Sequence, residues 1–216
     1  MHRAPLCLRL ARWRAGLVLA RLLLAVLIFA VLLLAGPGPA AAARPVAPAL
    51  SAEEEALLAR GEVLVRAGGQ GQATLVAVDV AADPDRTFAA VMDLEARVGE
   101  VSALREATVY RDEPGVKAAR FVMGIAGLTV TFHTLYQVDM AGRWCSYALD
   151  PSKDNGLKDA SGSYLVVPTP TGSRILYVAS GSTGGGEGEP GWLRKHLQEK
   201  GSRALLGGMK ARAEGG

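Results

Sequence analysis

Apolar and polar residues alternate along residues 73–80, a Val-rich run that predicts a strand with one buried face. Six more runs of strand composition follow, at 107–111, 116–123, 128–139, 143–149, 161–167 and 173–180. The breaks between them carry Glu113-Pro114-Gly115, Gly124 to Gly127, Ala141-Gly142, Asp154-Asn155-Gly156 and Thr171-Gly172. Connections of hairpin length imply an antiparallel meander, because parallel strands need longer crossovers. Residues 62–66 have the composition of a further short strand, and 68–71 that of a turn.

Helical signals flank these strands. Ser51 and Glu54 have capping-box spacing, and the helix they open over 53–60 stops at Gly61. Asp83-Pro84 sets a cap ahead of a proline at the first helical position, with Phe88, Val91 and Met92 on one side of a helix over 85–92. Residues 94–104 read as a second short helix. Beyond a glycine-rich hinge at 181–191, residues 192–213 form a long helix. Its stripe of Leu193, Leu197, Gly201, Ala204, Leu205, Gly208 and Ala211 falls within about 120° of arc, with Lys195, Gln198 and Ser202 opposite.

The first 43 residues follow a different pattern. They contain five arginines and no acid, then an uncharged apolar run at 22–35, then Pro37, Pro39 and Ala41-Ala42-Ala43. A basic start, a short apolar core and small residues before a cleavage point describe a secretory signal peptide. Fourteen apolar residues make about 21 Å of helix, short of a bilayer's hydrocarbon core of about 30 Å. The competing reading is an uncleaved anchor over 16–35, interrupted by Arg21. Either reading delivers the domain across a membrane, to a periplasmic or other extracytoplasmic location. The division is therefore 1–43 leader, 44–71 linker with a short helix, and 72–214 folded domain.

Composition sharpens this division. The chain of 216 residues carries 24 basic and 21 acidic side chains. Without the five leader arginines, 19 basic residues face 21 acidic ones, a net charge of −2. Nucleic-acid binding needs cationic charge in the folded domain and is disfavoured. Cys7 lies in the leader, so Cys145 has no disulfide partner within the mature chain and reads as a buried structural thiol.

The order of elements resembles the helix-grip fold of the START-like (SRPBCC) superfamily, in its polyketide cyclase/dehydrase or coenzyme Q-binding START-domain branch. The residues that carry the resemblance begin with Ala82-Asp83-Pro84-Asp85, Phe88 and Met92-Asp93-Leu94-Glu95. Gly162-Ser163-Tyr164, Pro168 and Gly172-Ser173-Arg174 match the penultimate hairpin. Pro190-Gly191-Trp192-Leu193 and Lys210-Ala211-Arg212-Ala213-Glu214 match the two ends of the terminal helix. The resemblance implies an α+β fold: a curved antiparallel sheet of about seven strands around a long C-terminal helix, with two short helices after the first strand. It also implies a cavity between sheet and helix for a lipid, sterol, quinone or polyketide. Fold alone does not choose among these.

The residues themselves suggest the same cavity. Gly201 and Gly208 interrupt the apolar stripe, each at a cost of about 1 kcal/mol relative to alanine. They imply either room for a ligand or close backbone approach. From the sheet and the preceding helix, Phe88, Met92, Phe121, Met123, Phe132, Tyr136, Trp144, Tyr164 and Tyr177 supply bulky surface; Leu197, Gly201 and Leu205 face them from the helix. Aromatics with polar tips suit an amphipathic ligand, and equally an ordinary core. Ile125 and Leu128 make an apolar hairpin tip, suited to transient contact with a membrane surface, to gating the cavity, or to folding back on the 85–92 helix.

Catalytic signals are sparse. No metal-binding, nucleophile-elbow, phosphate-loop or dinucleotide motif occurs, and neither cofactor nor metal is expected. His133 alternates with Phe132 and belongs on the outer face; His196 sits at a flank of the terminal helix. Asp150, Lys153, Asp154 and Asp159 read as solvated loop charges. The expectation is an exported domain that binds a hydrophobic small molecule and carries or sequesters it. The alternatives are a cyclase-like or hydrolytic enzyme, with Tyr136, Tyr164 or His133 in the cavity, and a protein-interaction module with a vestigial cavity.

Overall fold

In the computed structural model, eight strands pair edge to edge among the described residues, which are 43–68, 73–125, 128–180 and 191–215. The side chains of 125, 128 and 191–198 also fall outside the description, as do the leader, most of the 68–71 turn and the 181–190 part of the hinge. Helix α1 (Ala52–Ala59) precedes strands β1 (Leu64–Arg66) and β2 (Thr74–Val80). Helix α2 (Pro84–Met92) and one 3-10 turn (Glu95–Arg97) lead to β3 (Leu104–Glu113), β4 (Val116–Ile125), β5 (Leu128–Asp139) and β6 (Trp144–Leu149). Strands β7 (Ser161–Thr169) and β8 (Gly172–Ser180) and helix α3 (Gly191–Glu214) complete the order.

Every strand pair is antiparallel, in the order β1-β2-β8-β7-β6-β5-β4-β3. The meander holds from β3 to β8, but β2 lies against β8 at the other side of the sheet. The chain from β2 to β3 must therefore cross the sheet, and α2 and the 3-10 turn make that crossing. This is the helix-grip α+β fold. Its eighth strand is the short β1, beyond the seven main strands.

Local chemistry explains the helix starts. Ser51 and Glu54 form the reciprocal capping box at α1. At α2 the Asp83 side chain accepts from the backbone N–H groups of Asp85 and Arg86, at 3.0 and 2.9 Å, and Pro84 costs no hydrogen bond there.

Two expectations need correction. Residues 94–104 are not a helix but the 3-10 turn, an isolated Val98–Val101 bridge and the start of β3. Gly99, at φ +96°, breaks helical geometry in the middle of the segment. The buried face of α3 is also rotated from the expected stripe. Leu206, Met209 and Ala213 are buried and Ala211 is exposed, while Ser202 lies on the cavity side. The helix is apolar around much of its circumference near 204–209, so periodicity alone leaves its rotation undetermined.

The core lies where α2 and α3 cover the β2–β8–β7 part of the sheet. It is built from Val76, Val78, Phe88, Val91, Val166, Ile175, Leu206 and Met209, all no more than 2% exposed. On another side, Arg174 in β8 holds both Asp79 in β2 and Glu55 in α1, tying the first helix to the sheet.

Candidate functional site

Strands β5, β6, β7 and β8 each place one tyrosine on the same face. Cross-strand register sets Tyr136 opposite Tyr147 and Tyr164 opposite Tyr177. The Tyr164 and Tyr177 rings stack at 4.3 Å, and the Tyr147 and Tyr177 hydroxyls lie 2.7 Å apart. Gly162 makes this packing feasible: a Cβ there would lie 2.8 Å from the Tyr147 ring and 2.5 Å from the Val178 carbonyl. Farther along the same face, Phe121 and Phe132 are direct partners and stack at 5.4 Å.

These side chains wall a cavity of about 320 Å³ under the middle of α3, at residues 201–205. Met123, Thr134 and Leu104 extend the sheet wall, Leu157 and Ala160 come from the β6–β7 loop, and Gly201, Ser202 and Leu205 from the helix. Gly201 faces open space, with no described atom within 4 Å of the position a Cβ would take. About two turns later Gly208 is the opposite: a Cβ would lie 2.3 Å from the Glu100 carboxyl carbon. Both explanations for the glycines therefore apply, one to each.

Arg97 is the charged member of the lining. It projects from the 3-10 turn, is 6% exposed, and donates to the Tyr136 hydroxyl at 3.2 Å and to the Val91 carbonyl at 3.0 Å. Its guanidinium also lies 5.4 Å from the centre of the Tyr164 ring and 5.9 Å from that of Tyr136. Its Nε–H is buried with no partner, and it forms no ion pair among the described residues. Glu100, three residues on, is held instead by Arg212. The Thr134 hydroxyl is likewise buried and unpartnered. Burial holds the Tyr147, Tyr164 and Tyr177 hydroxyls above their ordinary pKa, so they are neutral donors near pH 7.

Of the residues expected to contact a ligand, Phe121, Met123, Phe132, Tyr136, Tyr164, Tyr177, Gly201 and Leu205 come together in this lining. Phe88 does not; it is buried in the core between α2 and the sheet. Met92 is buried at the end of α2 and borders a separate groove by the β3–β4 turn. Trp144 belongs to the opposite face of β6 and anchors the β5–β6 turn by donating to Asp139 at 3.0 Å. The side chains of Leu197, His196, Ile125 and Leu128 lie outside the described residues.

Arg97, Val101, Leu104, Thr134, Tyr147, Leu157, Ala160 and Ser202 are additions to the expected set. Tyr147 was legible by parity: a buried Cys145 puts residue 147, not 144, on the inner face. Cys145 is fully buried, and that burial pushes its thiol up to about 12, as suits an unreactive core residue.

His133 lies away from the cavity. Its ring meets Tyr110 edge-on at 5.9 Å, and its Nδ1 lies 3.1 Å from the Asp154 carbonyl. The expectation of solvated loop charges fails for Asp150, which is 7% exposed. It accepts from Tyr110 at 2.7 Å and from the Ser152 hydroxyl and N–H. With Asn155 and Gly156 bonded to β5, it fixes the loop that carries Leu157 and Ala160 to the cavity.

Solved structures share this architecture. A START superfamily protein from Mycobacterium smegmatis superposes with a TM-score of 0.54 at 20% identity, covering 67% of this chain and 98% of that one. An aromatase/cyclase from a Streptomyces species gives 0.54 at 16% identity, covering 66% and 93%. A STAR-related lipid transfer protein from Xanthomonas axonopodis, as a fragment, gives 0.53 at 13%, covering 70% and 98%. No family model matches the chain, and no curated protein does. At these identities the likeness establishes the fold alone: this chain has the helix-grip fold of these START-like structures.

Proposed function

We propose that the domain binds a hydrophobic small molecule between its sheet and α3, and carries or sequesters it without changing it. The observation that carries this reading is the cavity itself, walled by stacked aromatics and left open at Gly201. Such a pocket holds its ligand by apolar burial and orients it with few polar groups. The leader's composition supports an extracytoplasmic site of action, and the apolar tip at Ile125 and Leu128 supports collection or delivery at a membrane surface.

Catalysis is the second reading, favoured by the juxtaposition of Arg97 and the Tyr136 hydroxyl. Acid–base chemistry also needs a group that accepts a proton near neutral pH. The described lining contains no carboxylate and no imidazole, and its buried tyrosines are poor bases at that pH. Binding without reaction is the better account.

Native mass spectrometry of the protein exported in a bacterial host, followed by organic extraction, tests this. A stoichiometric adduct of small-molecule mass is expected. An apo mass that persists after incubation with membrane lipids, quinones and fatty acids would contradict it.

A further inference from the structure

We infer that the cavity is built for an anion: a compact, single-chain or fused-ring molecule whose carboxylate sits on Arg97. The inference rests on the binding reading above and narrows its ligand class.

Charge is the first argument. A guanidinium stays protonated in proteins and carries five N–H donors. Arg97 uses two of them, on Tyr136 and Val91, and is more than nine-tenths buried. Its ring contacts with Tyr136 and Tyr164 supply some compensation but no counter-charge. A buried charge without an ionic partner is costly, and one whose partner arrives with the ligand converts that cost into selectivity. The acid nearest in sequence, Glu100, feels the Arg97 charge but lies beyond ion-pair distance of it and is held by Arg212. The Arg97 Nε–H and the Thr134 hydroxyl, both on lining residues, are buried without a partner. A hydrocarbon would leave all of these unsatisfied, and a neutral oxygenated ligand would leave the charge without a counter-ion.

Size is the second argument. A cavity of about 320 Å³, filled at the ~0.74 density of a protein interior, takes roughly 12 to 16 non-hydrogen atoms. A two-chain phospholipid or a long-tailed quinone is several times larger. A medium-chain fatty acid or a two- to three-ring aromatic acid fits both the volume and the charge.

The test uses matched probes on the full chain: decanoate, decanol and decylamine, titrated calorimetrically at pH 7.5. Decanoate is expected to bind about 30-fold more tightly than decanol, the scale of a charge-assisted hydrogen bond, with decylamine weaker still. In Arg97→Gln the acid-to-alcohol preference should fall below about 3-fold. Arg97→Lys should retain part of the preference, because it keeps the charge and loses the fork.

Equal binding of acid and alcohol by the unaltered protein would overturn the anion assignment while leaving the hydrophobic cavity standing. Stoichiometric extraction of phosphatidylglycerol from vesicles would overturn the size limit. Binding of none of the three probes, with no adduct by native mass spectrometry, would overturn the cavity reading as well.

Discussion

Two of the glycines on α3, Gly201 and Gly208, mark one place where the helix is open and one where it is packed. Around Gly208, Leu206 and Met209 are fully buried, and Glu100 and Arg212 close over the helix backbone. Around Gly201, on the same helix, a Cβ would meet no described atom within 4 Å. A helix laid simply on a sheet would be packed along its whole length, since close packing of buried surface is the main source of its stability. The contrast shows that α3 is closely packed around Leu206 and Met209 and leaves space beneath Gly201.

The largest expected effects separate adjacent leucines. Leu206→Ala empties a fully buried site and should cost about 2–5 kcal/mol of unfolding free energy in denaturant titration. Leu205→Ala, on a half-buried side chain facing the cavity, should cost less than about 1.5 kcal/mol and instead weaken ligand binding. Similar stability losses at the two positions would erase the division. Gly208→Ala comes next. Its methyl would displace the Glu100 carboxylate and its pairing with Arg212, so a net loss of about 1–2 kcal/mol is expected even after the gain in helix propensity. A stabilised Gly208→Ala would mean that Glu100 moves aside freely and the packing there is loose.

Much of this was legible in the chain. The strands were bounded by turn chemistry that a one-dimensional pattern records well: β5 begins and ends at Leu128 and Asp139 as expected, and α2 starts at its Asp83-Pro84 cap. Packing choices were less legible. The rotation of α3 depends on which of several apolar neighbours meets the sheet, and Leu205, Leu206 and Met209 offer more than one answer. Six strand candidates, Phe121, Met123, Phe132, Tyr136, Tyr164 and Tyr177, lie on the cavity wall because strand alternation fixes which face a side chain takes, and the same alternation turns Trp144 to the other face.

Arg97 was hidden for a different reason. An arginine followed by Val98 and Gly99 reads as exposed in any composition-based argument, since charged residues are almost never fully buried. Its burial arises only because the chain between β2 and β3 must cross the sheet, a consequence of β2 pairing with β8. That pairing joins residues about a hundred apart, and no local pattern announces it.

The smallest stability change carries the most direct test. Gly201→Leu places a side chain into the space assigned to the ligand. Unfolding free energy should hold or rise by about 1 kcal/mol, from helix propensity alone, while the adduct seen by native mass spectrometry disappears. A destabilised variant, or one that still binds its ligand stoichiometrically, would contradict the claim that the space beneath Gly201 is the binding site.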